Sequence, residues 1–321
     1  MSIDREALLK GNRRALAKAI TLTESKLDSH RQEAQQLLES LLPHTGNSIR
    51  IGITGVPGVG KSTFIEAFGL HLIQQGKKVA VLAVDPSSPI TGGSILGDKT
   101  RMEVLSQQNN AFIRPSPSGG ALGGVAQKTR ESMLLCEAAG YDVILVETVG
   151  VGQSEYEVAS MVDFFLVLML PNAGDELQGI KNGILELADA IVINKADGAA
   201  RAMADQARQH YNNALAILHH NHFWQPRVML CSSLENKNID GIWNMVGDYR
   251  QRALDAGVFH PKRARQNQEW MWRLVHELID RRLHRDPDAR AVCDAMQNKV
   301  NAGQTTPYIA AHRIVESLRN I

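Results

Sequence analysis

A glycine-rich segment that ends in lysine and serine is the first feature of this sequence that could do chemistry. It matches the pattern G-x-x-x-x-G-K-[ST] and follows a β-rich run at 49–54. Glycines let backbone N–H groups converge on phosphate oxygens, and the start of the next helix adds its positive dipole end. Lys61 would reach the β- and γ-phosphates, and Ser62 could ligate Mg²⁺. The sequence therefore predicts a nucleotide phosphate site at Gly55, Val56, Pro57, Gly58, Val59, Gly60, Lys61, Ser62 and Thr63.

A second segment, Asn194-Lys195-Ala196-Asp197, has the chemistry to recognise a guanine base. Asp197 could accept hydrogen bonds from N1–H and the 2-amino group of guanine, and adenine offers neither donor. We expect Asn194 to support the loop and the stem of Lys195 to lie against the base. A later segment is either a loop that closes over the base or an ordinary turn. Its residues are Ser232, Ser233 and Leu234.

A carboxylate at the end of another predicted strand indicates a metal and water site. Glu147 is followed by Thr-Val-Gly150, which resembles the D-x-x-G segment of GTPases with Glu in place of Asp. Gly150 N–H could contact the γ-phosphate, and Gln153 could orient the attacking water. In addition to Lys61, Arg101 or Lys181 could stabilise charge in the transition state. The candidate Mg²⁺ ligands are Ser62, Asp85, Asp98 and Glu147.

Short β-rich runs alternate with segments of helical periodicity between these motifs. Several runs are apolar almost throughout, which is typical of strands covered by helices on both faces. The alternation predicts an α/β fold with a doubly wound, mostly parallel sheet, in which ligands bind beyond the carboxyl ends of the strands. The predicted strands are 49–54, 79–85, 111–115, 142–147, 164–170, 190–194 and 227–231.

Helical segments extend this core at both ends of the chain. Two helices are predicted at the start, and Thr21 with Glu24 resembles a capping box that opens the second. Three are predicted at the end, and Asp286 and Thr306, each followed by proline, would cap the last two. This final region is either a docking or dimerisation arm or packs back on the core. The predicted domains are a helical extension at 1–45, a P-loop domain at 46–255 and a helical arm at 256–321.

Composition narrows the classes of function. The formal net charge is +1, so the overall charge of the protein does not favour binding to nucleic acid or to an anionic membrane. The cysteines Cys136, Cys231 and Cys293 stand alone, which predicts no zinc site or disulfide framework. The tract at 219–222 contains three histidines, but it is more typical of a helix end than of a metal site. The longest apolar run, 164–170, is short for a membrane helix, so we expect a soluble, cytoplasmic protein.

Several longer strings resemble one family. GVPGVGKST, AVDPSSP, TGGSILGDKTRM, RPSPSGG, ETVGVGQSE, AGDELQGIK and NKAD occur in this order. The set is similar to the MeaB/ArgK family of GTPases, formerly labelled LAO/AO transport ATPases. The resemblance implies a signal-recognition-particle-like P-loop fold that binds GTP or GDP with Mg²⁺ at the four candidate ligands. It also implies a homodimer joined by the C-terminal helices, and a chaperone that gates cobalamin loading and protection of methylmalonyl-CoA mutase. A third switch would lie at 174–181.

Two other functions stay open at this point. An ATP-dependent kinase or ATPase linked to lysine, arginine and ornithine transport fits the older family label, although Asp197 favours guanine and the sequence shows no acceptor site. A non-enzymatic switch, in which the bound nucleotide turns over only incidentally, has the same motifs as a GTPase.

Overall fold

The chain forms two compact units. The computed structural model describes residues 3–25, 27–84, 102–115, 122–148, 154–172, 183–218 and 223–317. The first unit is Met1–His260 and the second is Pro261–Ile321. The division falls inside one long helix, Phe259–Arg285, close to the predicted start of the helical arm at 256. The three-domain division of the sequence stays a prediction.

Within the described residues, seven parallel strands form the sheet of the first unit, in the order β3-β2-β4-β1-β5-β6-β7. The predicted doubly wound α/β fold is therefore confirmed, and every predicted strand is present to within a residue at each end. β1 lies at the point where the strand order reverses, which is where such sheets bind ligands. The strands are β1 (Ile49–Gly55), β2 (Val79–Val84), β3 (Ala111–Arg114), β4 (Val143–Thr148), β5 (Phe164–Met169), β6 (Ala190–Ile193) and β7 (Arg227–Leu230).

Helices alternate with these strands and flank the sheet. No described helix combines the length and the hydropathy that a membrane-spanning helix requires. The helices of the described residues are α1 (Arg5–Leu9), α2 (Arg13–Thr23), α3 (Asp28–Leu41), α4 (Lys61–Gln74), α5 (Glu103–Ser106), α6 (Leu122–Ala138), α7 (Ser154–Ala159), α8 (Gly183–Leu187), α9 (Arg201–Leu218), α10 (Ile239–Asp255), α11 (Phe259–Arg285), α12 (Pro287–Asn301) and α13 (Pro307–Ser317).

The N-terminal extension packs on the core of the sheet domain. Leu8, Leu16, Ile20 and Leu41 are fully buried in the same apolar cluster as the strands. The extension has three helices where two were predicted, because a short helix, α1, precedes the others. Burial of one apolar stripe from each helix explains why these segments stay folded against the core.

The predicted capping box at Thr21 and Glu24 is wrong. Thr21 lies inside α2, and its hydroxyl donates to Ala17 O at 2.9 Å. The carboxylate of Glu24 instead accepts from the guanidinium of Arg114 at the end of β3. The Glu24 side chain therefore forms an ion pair with a residue far along the chain instead of capping a helix. α3 begins only at Asp28.

The last two helices begin as predicted. Asp286 accepts from Asp288 N at 2.9 Å and from Ala289 N at 3.1 Å, and this caps α12. Thr306 Oγ1 accepts from Ile309 N at 3.3 Å at the start of α13. Side-chain oxygens at these positions satisfy amide groups that have no partner within the helix.

A buried ion pair joins β1 to α6 at the amino end of the sheet. Arg50 Nε and Nη2 donate to the two carboxylate oxygens of Glu137 at 2.9 and 3.0 Å. The same carboxylate accepts from Ser48 Oγ at 2.6 Å and from Gly46 N at 2.9 Å. Glu137 thus holds both β1 and the linker that arrives from the N-terminal helices.

Removing one charge of this pair should destabilise the first unit strongly. Glu137→Gln keeps the shape of the side chain but leaves the Arg50 guanidinium buried without its counter-charge. We expect a loss of about 3–5 kcal/mol in unfolding free energy, measured by urea denaturation. Asp205→Asn is the matched control, because Asp205 pairs with Arg201 at an exposed site and should cost under about 1 kcal/mol. Equal losses in the two variants would contradict this role for Glu137.

Candidate functional site

The glycine-rich loop lies between β1 and α4 and depends on its glycines. Gly58 and Gly60 have φ of +78° and +89°, in the left-handed region that side chains rarely adopt. A Cβ atom on Gly55 would lie 2.6 Å from Leu168 O, and one on Gly60 would lie 3.1 Å from Asn194 Nδ2. The loop therefore packs closely against β5 at Gly55 and against the loop after β6 at Gly60, so a side chain at either position would force its neighbours to move.

Lys61 begins α4 and folds back onto the loop. Its Nζ donates to Gly55 O at 2.8 Å and approaches Val56 O at 3.5 Å. Burial lowers the pKa of Lys61, and the negative charges of Glu147 and Glu155 oppose that shift. Ser62, the next residue, is half-buried beside it. The loop thus holds one ammonium group at the point where phosphates would converge.

Asn194 joins the loop after β6 to two other loops. It is 2% exposed, and its Nδ2 donates to Val59 O in the glycine-rich loop at 2.9 Å. Its Oδ1 accepts from Ser233 N at 3.1 Å and from Ser233 Oγ at 2.8 Å. Lys195, with φ of +57°, donates from Nζ to Gly58 O at 2.8 Å. The structure therefore brings the predicted phosphate and guanine segments together.

Asp197 lies against the loop that follows β7. Ser232 Oγ donates to the Asp197 carboxylate, and Ala196 N donates to Cys231 O at 2.9 Å. Asp197 is half-buried, so its carboxylate remains partly exposed to solvent while it accepts the hydrogen bond from Ser232. Leu234 is 83% exposed, so its side chain is available to contact a ligand.

Glu147 occupies the carboxyl end of β4, beside β1. It pairs in register with Ile53 and is 8% exposed. The next residue, Thr148, donates from Oγ1 to Thr54 Oγ1 at 2.7 Å, directly before the glycine-rich loop. The Glu147 charge acts on Lys61, the residue before Ser62, and a carboxylate and a hydroxyl are the kinds of oxygen ligand that Mg²⁺ prefers. These two residues could hold the metal.

The other predicted site residues lie outside the described residues. They are Asp85, Asp98, Arg101, Gly150, Gln153, Lys181, the third switch at 174–181 and the histidine tract at 219–222. Within the described ranges, no group of three or more His, Cys, Asp or Glu side chains could hold a metal ion. The roles of these residues stay predictions.

Glu155 is a buried residue of this site to which the sequence analysis assigned no role. It lies in α7, is 0% exposed, and shares a small cavity with Thr54, Gly55 and Val56. Its charge is one of the two that raise the pKa of Lys61. The glutamate ends the string ETVGVGQSE, but no spacing rule distinguishes it from a solvated helix residue.

The Asn194 bridge should be essential for nucleotide binding. Asn194→Asp removes the Nδ2 donor and places a carboxylate against Val59 O, while it keeps the acceptor for Ser233. We expect guanine nucleotide affinity to fall on the order of tenfold to a hundredfold, measured by titration with a fluorescent GDP analogue.

Asn238→Asp provides the control for this variant. Asn238 Nδ2 also donates to a backbone carbonyl, Leu230 O at 2.7 Å, but on the side of β7 away from β6. Its substitution should leave nucleotide affinity nearly unchanged. An equal loss in both variants would mean that the Asn194 effect is general destabilisation.

The chain matches one protein family along most of its length. The model of the family described as methylmalonyl Co-A mutase-associated GTPase MeaB matches residues 16–288. GTPase ArgK of Escherichia coli is 53% identical over 282 residues, which cover 88% of this chain and 85% of that protein. The mitochondrial methylmalonic aciduria type A homolog of Mus musculus is 44% identical over 324 residues, covering 98% and 78%.

A solved structure is similar along almost the whole chain. The crystal structure of a LAO/AO transport system kinase superposes with a TM-score of 0.78 at 42% identity, and the match covers 98% of this chain and 96% of that one. The family resemblance of the sequence is therefore confirmed. This chain belongs to the MeaB family of methylmalonyl-CoA mutase-associated GTPases and is a P-loop GTPase.

Proposed function

We propose that this protein is a Mg²⁺-dependent GTPase that acts as a chaperone for adenosylcobalamin-dependent methylmalonyl-CoA mutase, with nucleotide state gating the loading and protection of its cofactor. The observation that carries the proposal is the family match across residues 16–288, which include both nucleotide motifs. The name of the mouse relative, methylmalonic aciduria type A homolog, points to the same metabolic step.

The geometry supports guanine as the base. Asp197 presents a half-buried carboxylate, which would accept from N1–H and the 2-amino group of guanine. The side chain of Lys195 lies along the glycine-rich loop, where it would contact the face of the base. Adenine offers the Asp197 carboxylate neither of these two donors.

The phosphate end supports hydrolysis. Lys61 would exchange its backbone acceptors, Gly55 O and Val56 O, for oxygens of the β- and γ-phosphates. Ser62 and Glu147 would hold Mg²⁺ together with Asp85 and Asp98, and the bound ion would neutralise charge that develops on the phosphates. Gln153 as the residue that orients water and Lys181 as a charge stabiliser remain part of the proposal.

A homodimer formed through the C-terminal helices is also part of the proposal. The second unit exposes large apolar side chains that a partner would cover. They are Trp272, Leu278, Tyr308 and Val315, which are between 57% and 79% exposed. The near-zero net charge supports a protein partner rather than nucleic acid or a membrane, and we place the protein in the cytoplasm.

An ATP-dependent kinase is the second candidate, because the similar solved structure is described as a transport system kinase. It predicts equal or better binding of ATP than of GTP, and transfer of phosphate to an acceptor such as arginine. The guanine-recognition residues Asn194 and Asp197 favour the GTPase instead.

The Asp197 carboxylate should determine the preference of the protein for guanine over adenine. The unmodified protein should bind GTP far more tightly than ATP in side-by-side calorimetric titrations. Asp197→Asn should lose GTP affinity on the order of a hundredfold or more, since the negative charge is lost and the new amide NH₂ group faces one of the two guanine donors. The variant should gain affinity for xanthosine triphosphate, whose C2 oxygen accepts from the new amide.

That gain separates altered specificity from misfolding. If the original protein binds ATP and GTP equally, or if Asp197→Asn binds GTP normally, guanine recognition by this loop is refuted.

The partner is tested by retention of a mutase. We expect immobilised full-length protein to retain adenosylcobalamin-dependent methylmalonyl-CoA mutase, with an affinity that changes between GDP and a non-hydrolysable GTP analogue. A Lys61→Ala protein should lose this dependence on nucleotide, because its phosphate contact is gone. Absence of retention in every nucleotide state would refute the chaperone proposal and leave the GTPase activity unaffected.

A further inference from the structure

The last strand of the sheet has an edge that no described strand covers. Cys231 N donates to Ile193 O at 2.9 Å, so alternate residues along β7 turn their backbone groups toward β6. The N–H and C=O groups of Val228 and Leu230 therefore face the other way. On that outer side, Leu230 O already accepts from Asn238 Nδ2 at 2.7 Å. The open part of the edge is centred on Val228.

One face of α10 forms a wall beside this edge. A groove of about 840 Å³ lies between α10 and the segment 223–229, and Asn212 of α9 also lines it. Its lining residues on α10 recur at helical spacing on a single face: Gly241, Asn244, Met245, Asp248 and Arg252. At 1.5 Å per residue this face is about 16 Å long, which matches about five residues of extended chain. The groove thus has the length and the backbone edge that a short added strand requires.

The end of the groove near Trp224 carries an excess of positive charge. The Arg227 guanidinium carbon lies 4.6 Å from the centre of the Trp224 ring, and that of Arg252 lies at 5.9 Å. Both arginines donate to Asp248, at 2.5 and 2.8 Å. Two cations therefore share one carboxylate. Because a guanidinium has five N–H donors, donors remain for a second anion.

We propose that this groove binds an extended acidic segment of a partner protein, which adds to the sheet beside β7. Main-chain groups of the segment would pair with Val228, and a glutamate or aspartate would bind Arg227 and Arg252. A second copy of the chain fits less well, because pairing two β7 edges would bring the same arginines together. The proposal does not rest on the mutase assignment, since the groove is built from other residues than the nucleotide site.

The probe is a blocked hexapeptide in which glutamate and valine alternate, titrated into the full-length protein by calorimetry. We expect it to bind and to slow hydrogen exchange of the 223–231 segment. Arg227→Gln and Arg252→Gln should each weaken binding about fivefold, as partly exposed ion pairs do. Arg208→Gln is the matched control, because it removes an arginine of α9 that does not line the groove.

Two altered peptides separate the contributions of charge and backbone. A peptide that alternates lysine and valine should not bind, and one with N-methyl groups on alternate residues should lose the hydrogen bonds and the affinity. The proposal is overturned if the glutamate peptide does not bind at millimolar concentration, or if either altered peptide binds equally well. Protection of 223–231 that rises with protein concentration alone would assign the groove to a second copy of the chain and overturn it too.

Discussion

The carbonyl groups of the glycine-rich loop impose the constraint on which this site depends. When the N–H groups of such a loop converge on phosphates, its C=O groups point outward and need donors of their own. Two side chains from outside the loop supply them: Asn194 donates to Val59 O and Lys195 donates to Gly58 O. Both belong to the segment that the sequence predicts to recognise guanine. The shape of the glycine-rich loop therefore depends on that segment.

The order of strands makes this arrangement possible. β1 has β5 on one side, which leads through β6 and β7 to the loops with Asn194, Asp197 and Ser233. On its other side β1 has β4, in which Glu147 is the residue before the last. The segment predicted to recognise guanine and the candidate metal ligand thus flank one loop from opposite sides, at the carboxyl ends of parallel strands. Contacts such as Asn194 Oδ1 to Ser233 N then join neighbouring loops rather than distant parts of the chain.

Local patterns in the sequence predicted the strands and the caps of the last two helices. Features that depend on contacts between residues far apart in the chain were not predicted. Apolar runs identified every strand, and the caps at Asp286 and Thr306 formed because a cap needs only its own helix. The cap at Thr21 failed because Arg114, far along the chain, takes the Glu24 carboxylate. The Arg50–Glu137 pair and the burial of Glu155 were not visible for the same reason, since no local pattern marks a charge that tertiary packing buries.

The charges around Lys61 bear on how a nucleotide would bind at the glycine-rich loop. Burial lowers the pKa of Lys61, while the negative charges of Glu147 and Glu155 act to raise it. The two effects on the ammonium group therefore oppose each other. The same carboxylates would repel a triphosphate that approaches Lys61. Ser62 and Glu147 would hold a divalent cation, and its positive charge would reduce that repulsion. Glu155, in α7, would stay as the counter-charge of Lys61. This balance supports a site that binds the nucleotide with its metal rather than the nucleotide alone.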